Sequence, residues 1–131
     1  MRKSLSLSLL ALAFFVGTAG AQNPVRDTSK TIQNGVLVVN TTSLCENVEG
    51  YIGPTPVEIR IKKDTIVKVT ALPNEETPAY FKLAVKVLEK WIGLTPSQGL
   101  ELKVDAVSGA TFSSEALIDN MRAGLKRALE E

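Results

Sequence analysis

The spacing of apolar residues changes in the middle of this chain, and that change limits the folds open to it. Val57, Ile59 and Ile61 alternate with charged residues, which is the period of a half-buried β-strand. A turn at 63–64 separates this strand from a second one predicted at 66–72. The two strands are therefore predicted to form an antiparallel hairpin.

Beyond residue 77 the apolar period becomes helical. Thr77 followed by Pro78 is typical of a helix N-terminus, with threonine as the N-cap and proline at the first helical position. Gly93 is predicted to end this helix. Six apolar residues share one helical face and are expected to point inward: Phe81, Ala84, Val85, Leu88, Trp91 and Ile92.

The remaining elements follow from shorter patterns. Asn34-Gly35 predicts a turn before a strand at 36–39, residues 93–99 read as a loop, and alternation from Leu100 to Val104 predicts another strand. A last helix is predicted from about Ser114, with an inner face of Leu117, Met121, Leu125, Ala128 and Leu129. The order β-β-β-α-β-α predicts an α+β domain, a mainly antiparallel twisted sheet with two principal helices packed against it.

The N-terminal segment has the features of a secretory signal peptide. A basic start precedes the apolar run Leu5–Val16, and Ala19-Gly20-Ala21 fits a signal peptidase site. The alternative is a membrane anchor, but the run is shorter than the ~20 residues a spanning helix needs. We expect a signal peptide at 1–21, a flexible leader at 22–34 and the folded domain at 35–131. The mature chain would then span no membrane and reside in the periplasm or outside the cell.

Composition excludes several classes of function. Without Arg2 and Lys3 the 15 basic residues become 13, against 14 acidic ones, so the mature chain lacks the basic field that drives nucleic-acid binding. The chain has no histidine, which removes a Ser-His-Asp triad, a Cys-His pair and most zinc sites. We therefore expect no metal site. The lone Cys45 allows no internal disulfide and is expected to be buried.

The stretch "VDAVSGATFSSEAL", residues 104–117, concentrates hydroxyl groups between a strand-like and a helix-like segment. The free backbone N–H groups of a helix N-terminus attract anions, and Gly109 and Ala110 allow close approach to the backbone. The alternative is purely structural, with Ser113 or Ser114 as the N-cap and Gly109 as a turn residue. Spacing alone leaves both interpretations open.

The same stretch resembles the flavinylation motif of the FMN-binding domain family. That motif has an aspartate, two residues, Ser or Thr, then Gly-Ala-Thr, one residue and Ser or Thr. Asp105, Ser108, Gly109 and Ala110 match it, and Thr111 matches the threonine that carries FMN. The resemblance implies a covalent phosphoester between FMN and the Thr111 hydroxyl. It also implies a Mg-dependent flavin transferase as maturation partner, which takes the group from FAD.

Two further segments, in the expected order, are similar to the family. "GYIGP" begins at Gly50 and contains Tyr51, and "EETPAY" contains Glu76, Thr77 and Pro78. The resemblance covers roughly residues 48–129 and implies that Glu-Thr-Pro lies near the flavin ring. As structure, Thr77-Pro78 alone is equally well explained as a helix start.

The resemblance also suggests roles for the individual residues. Thr111 would bear the flavin, Ser108 would shape the loop, and Ser113 or Ser114 would cap the helix that steadies the phosphate. Asp105 would assist the transferase step or brace the loop. Tyr51 and Tyr80 are candidates for stacking on the ring.

Together these features predict an exported flavoprotein electron carrier that relays electrons between envelope redox partners, soluble or membrane-bound. No residues suited to acid-base work on a substrate stand out, so we expect an electron-transfer module more than a complete enzyme, with no catalytic residues of its own. The alternative function is a non-redox module that binds an anion or FMN and mediates contact with an envelope partner.

Overall fold

A computed structural model describes residues 27–130 of the chain, and the predicted signal peptide and residues 22–26 of the predicted leader lie outside them. The described residues contain an antiparallel sheet whose neighbours follow chain order. Its strands are β1 (Lys30–Gln33), β2 (Val36–Asn40), β3 (Val57–Lys62) and β4 (Thr65–Ala71). The predicted strands at 36–39, 57–62 and 66–72 are confirmed.

Two tight turns build the hairpins of this sheet. Lys63 and Asp64 adopt the left-handed region between β3 and β4, as Asn34 and Gly35 do between β1 and β2. A turn of this kind joins two strands, whereas the strand predicted beside Asn34-Gly35 was only the one that follows it. The described part of the stretch assigned to a flexible leader therefore contains β1.

The helices follow the sheet in the chain. Helix α1 (Pro78–Ala84) continues directly as a 3-10 helix (Val85–Trp91), a short α2 (Pro96–Glu101) follows, and α3 (Thr111–Leu129) is the longest. The predicted α+β architecture is confirmed, with α2 as an addition. Within residues 27–130, no helix combines the length and apolar character needed to cross a membrane.

The core lies between the sheet and α3. Trp91 is fully buried, as predicted, and its indole N–H donates to the carbonyl of Gly99 at 3.1 Å. Two residues assigned to inner faces lie outward, because Ile92 is 46% and Leu129 is 48% exposed. Both stand at helix ends, where the packed stripe stops. The main core side chains are Val39, Val57, Ile59, Ile61, Ile66, Leu88, Leu117, Met121 and Leu125.

Two predictions for residues 93–104 are wrong. The segment read as a loop contains α2, which starts with a capping box: the Thr95 side chain accepts from the Gln98 amide and the Gln98 side chain accepts from the Thr95 amide. The predicted strand at 100–104 is not formed: Leu100 and Glu101 belong to α2, and residues 102–104 pair with no strand of the described residues. Leu102 and Val104 are half-buried against the core, so the alternation marks a chain that runs along the core without pairing.

Candidate functional site

A cavity of about 340 Å³ opens at the N-terminus of α3. Three segments form its walls: the loop before β3, the start of α1, and the turn that leads into α3. Its volume falls within the ~300–1,000 Å³ that small-molecule sites occupy. The lining residues are Tyr51, Glu76, Thr77, Tyr80, Gly109, Ala110, Thr111, Phe112 and Ser113.

Thr111 is the first residue of α3 and is exposed at the cavity. The predicted helix start at about Ser114 is three residues too late. Ala110 holds the N-cap position, and among the described residues no side chain caps this helix. The first backbone N–H groups of α3 therefore keep their partial positive charge at the cavity wall.

The turn before α3 presents Thr111 to the cavity. Gly109 has φ of +86°, a left-handed conformation that favours glycine. The Ala110 amide donates to the carbonyl of Val107 at 3.0 Å and closes the turn. The Gly-Ala pair thus reverses the chain and leaves only a methyl group beside the first turn of α3.

Neither serine of the first turn caps the helix, which corrects the predicted role of Ser113 or Ser114. The Ser114 hydroxyl donates to the Ala110 carbonyl at 2.6 Å and accepts from the Val107 amide at 3.1 Å. The Ser113 hydroxyl donates to Glu76 at 2.5 Å. Both side chains are buried. Ser114 therefore braces the turn before α3, and Ser113 connects α3 to the segment that contains Glu76.

Glu76 is a buried carboxylate with a complete set of hydrogen-bond donors. Its Oε1 accepts from the Tyr51 amide at 2.8 Å and from the Ser113 hydroxyl. Its Oε2 accepts from the amides of Ile52 at 2.7 Å and Gly53 at 3.0 Å. The side chain is 6% exposed, so these four bonds replace the water that burial removes.

These contacts also decide the ionisation of Glu76. Burial is the largest single influence and acts to raise the pKa of this carboxyl. The hydrogen bonds from Ser113 and from the three loop amides together outweigh burial and hold the pKa below its ordinary value of 4.5. Glu76 is therefore a carboxylate at neutral pH.

Aromatic side chains surround the mouth of the cavity. Tyr51 and Phe112 stack with ring centroids 6.3 Å apart and planes inclined by 29°. Tyr80 of α1 also lines the cavity, and all three rings are more than half exposed. Exposed aromatic faces around a cavity are suited to stacking on a planar ligand.

Thr77 stands at the N-cap position of α1, but its side chain makes no capping hydrogen bond. The Thr77 carbonyl accepts from the amides of Tyr80 and Phe81, so the helix start uses only the backbone of Thr77. Its exposed side chain lines the cavity. The hydroxyl is therefore placed where a ligand can reach it.

The structure does not bring every predicted site residue to the cavity. Asp105 and Ser108 are exposed outside its lining, and neither Pro78 nor Ser114 lines it. Phe112, which does line it, was missed by sequence reasoning. The sequence did carry a signal for it, because Phe112 is an aromatic residue directly after the motif threonine.

Comparison with known proteins identifies the family. The model of the FMN-binding domain family matches residues 50–126, more than half of the chain. NADH:acrylate oxidoreductase of Vibrio harveyi is 26% identical over 97 residues, which cover 70% of this chain and only 9% of that relative. No solved structure is significantly similar to the chain. The matched region contains the whole cavity lining, and the chain belongs to the FMN-binding domain family.

Proposed function

We propose that this protein is an exported electron carrier that holds FMN through a phosphoester on Thr111. The observation that carries the proposal is the position of Thr111. Its exposed side chain stands on the first residue of a 19-residue helix, at a cavity wall, and no side chain of the described residues caps that helix.

The residues of the cavity suit the group they would hold. A phosphodiester keeps one negative charge, which the uncapped N-terminus of α3 stabilises. The one carboxylate of the lining, Glu76, is already engaged by four donors, and Asp105 lies outside the lining. Tyr51, Tyr80 and Phe112 offer aromatic faces for a planar ring.

The attachment step needs an enzyme and FAD, as the family motif implies. The Thr111 hydroxyl loses its proton, and its oxygen forms a new P–O bond to the phosphate on the flavin side of FAD. The P–O bond to the adenylate side breaks, and AMP leaves. The cavity holds no general base of its own in the described lining, since Glu76 is saturated by donors, so a flavin transferase would supply the base and the metal.

The carrier role rests on what bound FMN supplies, which is one- and two-electron transfer. The chain's own residues hold and orient the group. The V. harveyi relative is named for oxidoreduction between NADH and acrylate, and this chain corresponds to about a tenth of its length. The match therefore covers one domain-sized part of a much larger oxidoreductase, which supports a module that works with other redox proteins over a complete enzyme. The apolar N-terminal segment supports export, and an envelope donor and acceptor would complete the relay.

The attachment can be tested by producing the full chain beside a flavin transferase. Denaturing gels under ultraviolet light and intact mass report covalent flavin. Thr111→Ala should abolish the fluorescent band and the added mass, whereas Thr111→Ser should keep both because it keeps the hydroxyl. Ser97→Ala is the matched control, since Ser97 is an exposed hydroxyl residue of α2 outside the cavity lining.

Reductive titration of the labelled protein then tests the carrier role, which requires reversible uptake of electrons. A wild-type chain of unchanged mass would reject covalent attachment. Flavin that co-purifies but dissociates on denaturation would favour the alternative, a reversible binding module.

A further inference from the structure

We infer that Glu76 is a positioning residue of the flavin site, which acts by filling an anion-binding loop in its own chain instead of contacting the flavin. The inference rests on the proposed function, because it concerns how the cavity walls are held for FMN. We call Glu76, Ser113 and the backbone of residues 51–53 the Glu76 cluster.

The loop of this cluster is built to hold an anion. The amides of Tyr51, Ile52 and Gly53 are consecutive, and all three point at one carboxylate within 3.0 Å. Consecutive N–H groups that converge in this way form an anion-binding concavity. Here the anion is a side chain of the same molecule. This loop is therefore closed to a phosphate, and the N-terminus of α3 remains the open anion site at the cavity.

Glu76 has no acceptor position left for a flavin N–H. A carboxylate offers about four lone-pair sites, two on each oxygen. Oε1 accepts from Tyr51 and Ser113, and Oε2 accepts from the two following loop amides. The resemblance implies that Glu-Thr-Pro lies near the ring, and the hydrogen bonds indicate different roles for its first two residues. Thr77 offers a free side chain, while Glu76 holds its neighbours.

The cluster joins the three segments that wall the cavity. The loop carries Tyr51, whose ring stacks on Phe112 of α3. Thr77 follows Glu76 at the start of α1. Ser113 ties α3 to the same carboxylate two residues after Thr111. Loss of the carboxylate should thus release the Tyr51 wall while leaving the attachment threonine and the α3 amides in place.

The test uses the full chain labelled by a flavin transferase and compares Glu76→Gln with wild type. Glutamine keeps the shape, but its NH₂ group faces amide donors and cannot accept from them. We expect covalent flavin to persist by mass, and hydrogen exchange at 51–53 to become about 10–100-fold faster, as the loss of hydrogen bonds to a charged group implies. We also expect the visible circular dichroism of the flavin to weaken. Glu75→Gln, an exposed neighbour, is the matched control.

A second variant guards against misfolding of Glu76→Gln. Ser113→Ala leaves the loop amides on the carboxylate and removes only the tie to α3. It should alter the flavin dichroism with a smaller change in loop exchange. Unchanged visible dichroism of the flavin in both variants would overturn the inference, even if hydrogen exchange in the loop became faster. An unlabelled wild type would instead contradict the proposed function, so the two failures are distinguishable.

Discussion

Gly50 lies against the carboxylate of Glu76, and the space there is too small for a methyl group. A Cβ at this position would stand 2.5 Å from Glu76 Oε1 and 3.2 Å from the Thr55 methyl. Gly50→Ala must therefore displace the carboxylate or the loop. We expect a loss of about 1–3 kcal/mol in the free energy of unfolding, the usual cost of overpacking, measured by urea denaturation.

Gly53, in the same loop, is the matched control for that substitution. A Cβ there would meet no atom within 4 Å, and its φ lies outside the left-handed region. Gly53→Ala should keep wild-type stability within about 0.5 kcal/mol. Equal losses for the two variants would show that the loop is sensitive to any added side chain, and not to the contact with Glu76.

The ionisation of Glu76 makes stability depend on pH. The hydrogen bonds of the folded state hold the pKa of this carboxyl below its ordinary value of 4.5. The stabilisation is therefore fully present above pH 4.5 and is lost as the pH falls through the folded pKa. Unfolding free energies measured from pH 6 down to about pH 3 should fall more steeply for wild type than for Glu76→Gln. Glu75→Gln should follow the wild-type slope.

At the scale of single residues, sequence patterns located the site better than they assigned its roles. The Gly-Ala-Thr motif pointed to Thr111, and the structure places that residue at the cavity. The bonds of Ser113 and Glu76 could not be predicted, since they join residues 37 positions apart in the chain. Motif spacing records that both residues are present and says nothing of their contact.

At the scale of elements, a buried polar pair connects the sheet to α3. Thr41 and Asn120 are both fully buried, and the Thr41 hydroxyl donates to Asn120 Oδ1 at 2.5 Å. The same hydroxyl accepts from the Val57 amide at 2.9 Å, and the Asn120 side-chain amide donates to the Ala116 carbonyl. The network thus fixes the register of α3 over β3.

Thr41→Val tests this connection, because valine keeps the shape and removes the hydroxyl. The Val57 amide and Asn120 Oδ1 would be left buried without this partner. We expect a loss of about 1–3 kcal/mol in unfolding free energy, measured by urea denaturation. Thr70→Val is the matched control, since Thr70 is half-buried in β4 and outside this network. A loss as large in Thr70→Val would indicate that the substitution itself, and not the network, is costly.

Periodicity predicted the elements that repeat a clear apolar pattern, and it gave wrong predictions for residues 93–104. The β3–β4 hairpin and the helical stripe ending at Trp91 were found because each repeats a clear pattern. Helix α2 was missed although Thr95-Pro96 repeats the signal seen at Thr77-Pro78. The strand predicted at 100–104 shows the opposite error. Its first two residues lie in α2, and the alternation of Leu102 and Val104 comes from an unpaired chain beside the core.

At the scale of the whole molecule, α3 links two distant places. Its 19 residues span about 28 Å at 1.5 Å per residue. Thr111 stands at one end, at the cavity. Near the other end Arg127 binds Asp27 at 2.8 Å and donates to the Ser29 hydroxyl at 3.1 Å. The start of the described chain is therefore tied to the end of α3 farthest from the cavity.

The contacts of Asp27 keep it charged. Hydrogen bonds from the Ser29 hydroxyl and amide, followed by those from Arg127, lower the pKa of Asp27 from 3.8 to about 2. The pair with Arg127 is thus intact above about pH 4 and is lost as the pH falls towards 2. Asp27 is open to solvent, so the pair serves to hold residues 27–29 in place more than to stabilise the fold.

Arg127→Gln should affect one end of α3 and leave the other end unchanged. It removes the ion pair beside β1, so hydrogen exchange at 30–33 should become a few-fold faster, in keeping with the small energy of exposed ion pairs. Flavin labelling and visible dichroism should not change, because the cavity lies at the other end. Arg122→Gln, an exposed position in the middle of α3, is the control and should leave both readouts unchanged. Weaker flavin labelling in Arg127→Gln would mean that the contact of residues 27–29 with α3 is coupled to the cavity at its other end.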